Sequence, residues 1–557
     1  MTRIGNIFSV IGVLLFGCSS ELPPPEIEAE NTTQQSALGP EERPNFLLIV
    51  TDDMGYTDMG AFGGTDIPTP NLDSLAMGGT RLTNFHANVS CAPTRSMLLS
   101  GTGNHEAGMG SQWALPEFVG RTYYEGRLTD RVASLPERMH AEGYHTYMAG
   151  KWHLAGTDFA VLPSDRGFER SFALIPGGWD HFALPAGSQK PDVGPAPDVP
   201  YVEDGVFLEG LPDDFYSTTT YVDKLIEYID SNESSDQPFF AYFAPTAPHW
   251  PLQVLPAWRD RFAGDYDAGY EALCLARQQG ADEAGVLPAG ADLGICPEIA
   301  APWDELTAEE QAINSRTMEL YAAMVAHLDT ELGRVLDYLG SSGQLENTYI
   351  IYHNDNGPEG GEIFDRRSAL SRFDNSLENL GRRNSWANLG QGWADAHSAP
   401  FRDQKSSPYE GGIRVPAFIT SPETSEPGRI SDSMVTVMDV MPTIMELAGI
   451  TEASYPRASE VLPIRGASFA SLLENPAAQI HASDEAIPLD HAGLSFMLQS
   501  DWKIVRPMGD TVWQLYNRAD DPNELKDLSQ DRPDILIELV TKFESHASEL
   551  GMVPRQL

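Results

Sequence analysis

Cysteine is scarce in this chain, with four in 557 residues, at positions 18, 91, 274 and 296. So few exclude a disulfide-dense scaffold or a multi-cysteine zinc array, and a hydrophobic core has to carry the fold. Cations are few as well: 36 Lys and Arg stand against 81 Asp and Glu, a formal charge of −45. A field of that sign repels phosphate backbones and anionic membrane surfaces, which excludes nucleic acid as an expected partner. It suits a salt-exposed setting, where self-repulsion is screened. After the first twenty residues no apolar run is long enough to span a bilayer.

The first residues read MTRIGNIFSVIGVLLFGCSS, an early arginine, a short apolar run and small residues around Cys18. Leu15-Phe16-Gly17-Cys18 resembles a bacterial lipoprotein processing box, with Cys18 lipidated as the mature N-terminus. An ordinary signal peptide cut nearby is the alternative. Residues 19–42 are polar and proline-bearing and read as a flexible tether. The expected organisation is a signal peptide at 1–18, a tether at 19–42, a catalytic domain at 43–465 and a smaller C-terminal domain at 466–557. The chain is expected to be exported, periplasmic or anchored to the outer membrane of a bacterium.

Five apolar runs predict strands: 45–50, 145–152, 238–245, 348–354 and 414–420. Helical patterns lie between them, among them LPERMHAEG, YAAMVAHLDTELGRVLDYLG and the stretch 431–449. That alternation predicts an α/β fold, a large, mainly parallel sheet sandwiched by helices. DWKIVRP and VWQLYN predict a hairpin, and 534–548 a closing helix, so the smaller domain is α+β with an antiparallel sheet.

Ligands of such sheets collect beyond the carboxyl ends of the strands. The run at 45–50 ends there in Asp52 and Asp53, the run at 348–354 in Asp355 and Asn356. Three carboxylates and an amide carbonyl form a hard oxygen-donor set suited to calcium or magnesium rather than zinc. Taken singly, an Asp-Asp after a strand is as readily a cap, and Asn-Gly a turn. Candidate cations accompany them: Arg95 four residues after Cys91, Lys151 and His153 alternating at a strand end, His249 after the third run, and Lys405 before YEGGIR. Convergence of cations in so acidic a chain implies an anionic substrate group. Each histidine alone also reads as a core residue, and each lysine as a solvated one. Cys274 and Cys296 flank a glycine-rich insert and are expected to pair in an oxidising compartment, the alternative being two free thiols. Cys91 is then left without a partner.

Cys91-Ala92-Pro93-Thr94-Arg95, continuing SMLLSG, resembles the signature of type I sulfatases, in which cysteine is converted to formylglycine. The resemblance extends through TDDMG, GKWHLAG, PHWP, HNDNG, the segment from Lys405 to YEGGIR and the terminal WKIVRPMGDTVWQLYN, and is nearest the bacterial arylsulfatase and alkylsulfatase branch. It implies an alkaline-phosphatase-like fold and hydrolysis of a small sulfate ester. It implies a calcium ion, with magnesium less favoured, held by Asp52, Asp53, residue 91, Asp355 and Asn356. A diol formed on residue 91 would attack sulfur, with Asp355 taking its proton. Lys151, Lys405 and Arg95 would balance charge, His249 with Lys405 would attend the leaving oxygen, and His153 would drive sulfate expulsion. It also implies a formylglycine-generating or other maturing enzyme as partner.

A phosphoester or phosphonate hydrolase of the same superfamily, a carbohydrate sulfatase and a glycan-binding surface lipoprotein are the competing readings. Specificity is expected in the loops 174–182, 250–300 and 385–400. There Trp179, Phe182, Trp386 and Trp393 line a leaving-group site or plug the core, two readings of equal weight. The absence of a basic patch for a polysulfated chain favours small aryl or alkyl sulfates.

Overall fold

The computed structural model describes residues 43–553 apart from 114, 185–196, 234, 236, 289–295, 297–300, 423–425, 508 and 510. The signal segment 1–18, Cys18 and the tether 19–42 lie outside the described residues.

The strand Asn45–Thr51 is apolar at nearly every position because both of its faces are covered. Phe46, Leu48 and Val50 enter one core while Leu47 and Ile49 enter the other, as alternation along a strand requires. It pairs in parallel with Thr348–Asn354 on one side and Phe239–Ala244 on the other. His145–Lys151 and then Arg170–Leu174 continue the parallel order. Antiparallel strands flank this centre, Ala417–Thr420 at one side and Tyr201–Glu203 at the other, within a ten-stranded sheet. Thr51 lies opposite Asn354, and Asp355 N donates to Thr51 O at 3.1 Å, so the register delivers Asp52 and Asp355 side by side.

The helix Ala308–Ser341 is longer than its periodic stretch suggests, since Thr307 and Glu310 cap each other and start it earlier. Two expectations are corrected. The run 414–420 forms a strand only over Ala417–Thr420, because Pro416 has no N–H to give to a ladder. The stretch 431–449 is helical only over Val440–Leu447. It begins instead with the end of the strand Arg429–Ser431, the short strand Val435–Thr436 and a 3-10 turn, where Asp439 accepts from Thr436 N at 2.6 Å.

The strands Ile487–His491, Leu494–Gln499, Trp502–Arg506 and Gln514–Asn517 form an antiparallel sheet. One face packs against Leu539 and Phe543 of the helix Pro533–Glu549, and the other joins a core of the large sheet through Phe496, Leu498 and Val505. Lys503, fully buried, bridges Glu410 at 2.8 Å and Glu524 at 2.7 Å, and Glu410 meets His86 at 3.0 Å. This ties the small sheet to the segment that follows Lys405. Cys274 and Cys296 form a disulfide that fastens the helix Tyr270–Glu283 to the insert.

His481 supplies a pH test of that packing. Its Nε2 lies 2.9 Å from Asp439 Oδ2 and its Nδ1 3.1 Å from Glu485 Oε1. Burial opposes the ring's charge, but the bonds and charges of Asp439 and Glu485 prevail and raise its pKa to about 9. A folded pKa above the free value stabilises fully below about pH 6.5 and loses that stabilisation as pH rises through about 9. His481→Gln is expected to cost on the order of 2 kcal/mol near pH 6. Urea unfolding should show the gap from wild type closing toward pH 9.5–10, roughly where the ring has become neutral. A gap constant from pH 6 to 10 would refute the charged pairing.

Candidate active site

Cys91 opens the helix Cys91–Ser100, and Arg95 follows one turn later on the same face. Both are buried, and the Cys91 sulfur lies 3.6 Å from Asp52 Oδ1. Arg95 reaches beyond it, donating from Nε and Nη2 to Asp355 Oδ2 at 3.0 and 2.8 Å and from Nη1 to the Lys151 carbonyl at 3.0 Å. Lys151 Nζ meets Asp52 Oδ2 at 2.6 Å, and Lys405 Nζ meets Asp53 at 2.8 Å. Asn356 Nδ2 donates to Asp53 Oδ1 at 2.7 Å. Residues remote in sequence thus meet beyond the ends of the central strands.

The carboxylates respond unequally to this setting. Burial, with the Asp355 charge, raises Asp52 to about 6 against the pull of Lys151, Arg95 and Lys405. Burial raises Asp53 well above the usual carboxylate range despite Lys405. Asp355 is buried too, but Arg95, Lys151 and Lys405 outweigh that and hold it low. A site that leaves carboxylates costly to ionise calls for more positive charge. The donor atoms agree: Asp355 Oδ1 and Asn356 Oδ1 are buried without a hydrogen-bond partner among the described residues. Ligand atoms of Asp52, Asp53, Cys91 and His249 lie within 4.8 Å of one another. That group adds a sulfur and an imidazole nitrogen to two carboxylates, so the fit to a cation bound through hard oxygens rests on Asp52, Asp53 and the unpartnered oxygens of Asp355 and Asn356.

Contrary to expectation, His153 lies beyond the strand rather than alternating with Lys151 on one of its faces, although the Lys151 charge still reaches it. The strand ends at Lys151, and His153 has a left-handed backbone at φ 58°, which re-aims its side chain. Its Nδ1 is buried without a hydrogen-bond partner among the described residues, and burial together with Lys151 and Arg95 holds its pKa well below the ordinary value. His249 accepts the same treatment from burial, Lys151 and Lys405. Its Nδ1 donates to the Trp250 carbonyl at 2.9 Å, and its Nε2 lies 3.6 Å from Asp53 Oδ2.

Glu359 escaped sequence reasoning. It takes Lys405 Nζ at 2.9 Å and Trp250 Nε1 at 2.7 Å, and follows Asn356 by three residues in a loop without periodicity. Asp58 escaped it too, a buried acid that receives the Tyr321 hydroxyl at 2.5 Å, the hydroxyl oxygen lying 3.1 Å from Asp53 O. The aromatic residues divide. Trp393 is fully buried among Tyr266, Tyr270 and Trp303, and Trp386 behind Trp250, so both fill the core. Trp179 and Phe182 are buried as well. Trp250 is half-buried, with its ring 4.1 Å from that of His249.

Buried cations held over oxygen donors at the carboxyl edge of a mixed sheet are the machinery of a metal-assisted hydrolase of anionic esters. The chain belongs to the sulfatase family, the type I sulfatases of the alkaline phosphatase superfamily. The Sulfatase family model matches residues 44–450, and a model described as N-sulphoglucosamine sulphohydrolase, C-terminal, matches 401–549. An uncharacterized sulfatase of Schizosaccharomyces pombe is 41% identical, the match covering 92% of this chain and 95% of that one. The arylsulfatase of Klebsiella aerogenes is 38% identical over 78% of this chain and 92% of its own. The solved structure of Ps i-CgsB shares the fold at TM-score 0.64 and 23% identity, covering 92% of this chain and 95% of that one. The protein is therefore a sulfatase, an enzyme hydrolysing sulfate esters, of a family that uses a metal ion and formylglycine.

Proposed function

We propose that the protein hydrolyses small aryl or alkyl sulfate monoesters through a formylglycine at position 91. The setting of Cys91 carries this reading. Burial pushes its thiol pKa well up, with Asp355 adding to the shift. A thiol kept protonated is a poor nucleophile. An aldehyde at the same place hydrates to a geminal diol and needs no thiolate.

One diol oxygen forms a bond to sulfur, giving its proton to Asp355, while the sulfur–oxygen bond to the alcohol breaks. The leaving oxygen keeps that electron pair and takes a proton from the Lys405 ammonium, steadied by His249. Lys151, Lys405 and Arg95 balance charge on the sulfuryl oxygens and the diol. His153 then removes the proton of the second hydroxyl. The freed electron pair re-forms the carbonyl, the carbon–oxygen bond to sulfate breaks, and water rehydrates the aldehyde. Asp52, Asp53, Asp355 and Asn356, with residue 91, would hold a divalent cation, which we assign as calcium from their oxygen donors; it supplies polarisation of a sulfate oxygen. Cys91 is 2% exposed, so the maturing enzyme has to meet this segment before the fold closes. We assign the protein as exported with a lipid anchor at Cys18, to be tested by whether Cys18→Ser releases it from the membrane fraction.

Trp250 is half-buried beside His249 with the Arg367 guanidinium 3.6 Å from its ring centroid, so the part of the ring that stays open offers apolar surface next to the leaving group. The arylsulfatase relative agrees with that chemistry. The test is kcat/KM for an aryl sulfate, a long-chain alkyl sulfate and a sulfated sugar, with residue 91 shown to be aldehyde by peptide mass. Aryl or alkyl sulfate is expected to exceed the sugar by about 10²-fold, the scale on which polar and apolar pockets discriminate. Preference for the sugar would make the protein a carbohydrate sulfatase.

A further inference from the structure

The loop after the strand Arg170–Leu174 carries Gly177 and Gly178, and each lies against a different active-site histidine. A methyl group added at Gly177 would fall 2.5 Å from His153 Cε1 and 2.6 Å from its Nε2. One added at Gly178 would fall 2.8 Å from His249 Cε1 and 2.9 Å from the Trp250 ring. Neither glycine has a positive φ, so alanine fits the backbone at both and only the overlap with the rings opposes it.

The loop cannot retreat to relieve that overlap, because it is fastened on both sides. Ahead of the glycines, Ile175 N donates to Pro200 O at 3.0 Å and Ile175 O accepts from His153 N at 3.1 Å. Beyond them, buried Asp180 receives Arg372 Nη2 at 2.6 Å and Gln253 Nε2 at 3.0 Å. His181 Nε2 bonds the carbonyl of His249 itself at 3.0 Å. The rings are the parts free to yield. His153 is the freer of the two, its Nδ1 having no hydrogen-bond partner among the described residues to fix the ring.

We infer that Gly177 and Gly178 are positioning residues that hold His153 and His249 separately, so that a methyl group at each disables a different half of the reaction. The inference rests on the roles given to the two histidines under Proposed function. Displacing His153 stalls sulfate expulsion, and displacing His249 removes the group that steadies the leaving oxygen beside Lys405.

Gly177→Ala is expected to lower kcat by about 10²-fold, the cost of misplacing a catalytic group by an ångström, while KM stays level or falls. A sulfuryl adduct on residue 91 should accumulate during turnover and be visible by peptide mass. Gly178→Ala should show no adduct. Its loss should be at least about tenfold larger for an alkyl sulfate than for an activated aryl sulfate, whose more stable leaving oxygen needs less support. Equal losses on every ester with no adduct in either variant would overturn the division of roles.

A stability cycle separates positioning from mechanism and requires no turnover. Gly177→Ala should lower Tm in the presence of His153 and leave it unchanged in the background of His153→Ala, where the overlapping ring is gone. Additive Tm changes would overturn the positioning inference whatever the kinetics. Coupled Tm changes without any adduct would uphold positioning and refute the expulsion role of His153. Should Gly177→Ala fail to fold, folding of the double variant would itself demonstrate the coupling, and failure of both would overturn it.

Discussion

Cys91→Ser is expected to leave an enzyme that turns over at most once, with a loss in steady-state kcat of at least ~10³-fold. Serine presents one hydroxyl to sulfur. After the sulfuryl group has moved to it, no second hydroxyl remains on the same carbon, so no carbonyl can form to expel sulfate. The helix tolerates the exchange, since cysteine and serine are close in size and Cys91 makes its polar contact with Asp52 Oδ1 at 3.6 Å. The product should therefore be a folded protein bearing a stable sulfate ester at position 91. Peptide mass after incubation with substrate and a multiple-turnover assay together check it. Sustained turnover in a preparation free of wild type would refute the diol mechanism.

Asp355→Ala should lose more than an ordinary surface change by orders of magnitude, about 10³-fold or beyond in kcat/KM, equivalent to roughly 4 kcal/mol of transition-state stabilisation. The carboxylate has two tasks on two oxygens. Its Oδ2 takes both Arg95 donors, and its Oδ1 is buried with no hydrogen-bond partner, the pattern of a metal donor. Removing it also leaves the fully buried Arg95 charge with only the longer pairing to Asp52 at 3.9 Å, and breaking a buried pair in this way costs about 3–5 kcal/mol of stability. Kinetics, bound metal by atomic emission and Tm should all fall together. Asp355→Asn keeps the shape and tests the charge alone. A near-normal rate for Asp355→Ala at saturating calcium would sink the assignment.

Much of this was legible from local pattern. NFLLIV and TYIIYHN read as strands because burial on both faces leaves an unbroken apolar run, and the acids that follow them sit where such strands deliver ligands. Arg95 could be placed beside Cys91 because four residues are about one helical turn. His153 was named for the site but its direction was not legible, because that comes from a single left-handed residue rather than from a period. Glu359 gave no signal, since an acid in a loop looks the same whether it meets water or Lys405. The segment 431–449 misled because the capping acid Asp439 and the short strand before it interrupt a pattern that composition alone continues.

The amino-acid order by itself determined the reaction class, the central strands and the residue types gathered at their ends, because these depend on neighbours within a few turns or on contiguous motifs. Only the tertiary structure decided which charge answers which. Lys151 pairs with Asp52 across 99 residues, Arg95 with Asp355 across 260 and Lys405 with Asp53 across 352. It decided also that Trp386 and Trp393 fill the core while Trp250 stays half open beside His249. Sheet register and burial select these partners. Both are properties of the closed fold, in which a charge without its counterpart is too costly to bury.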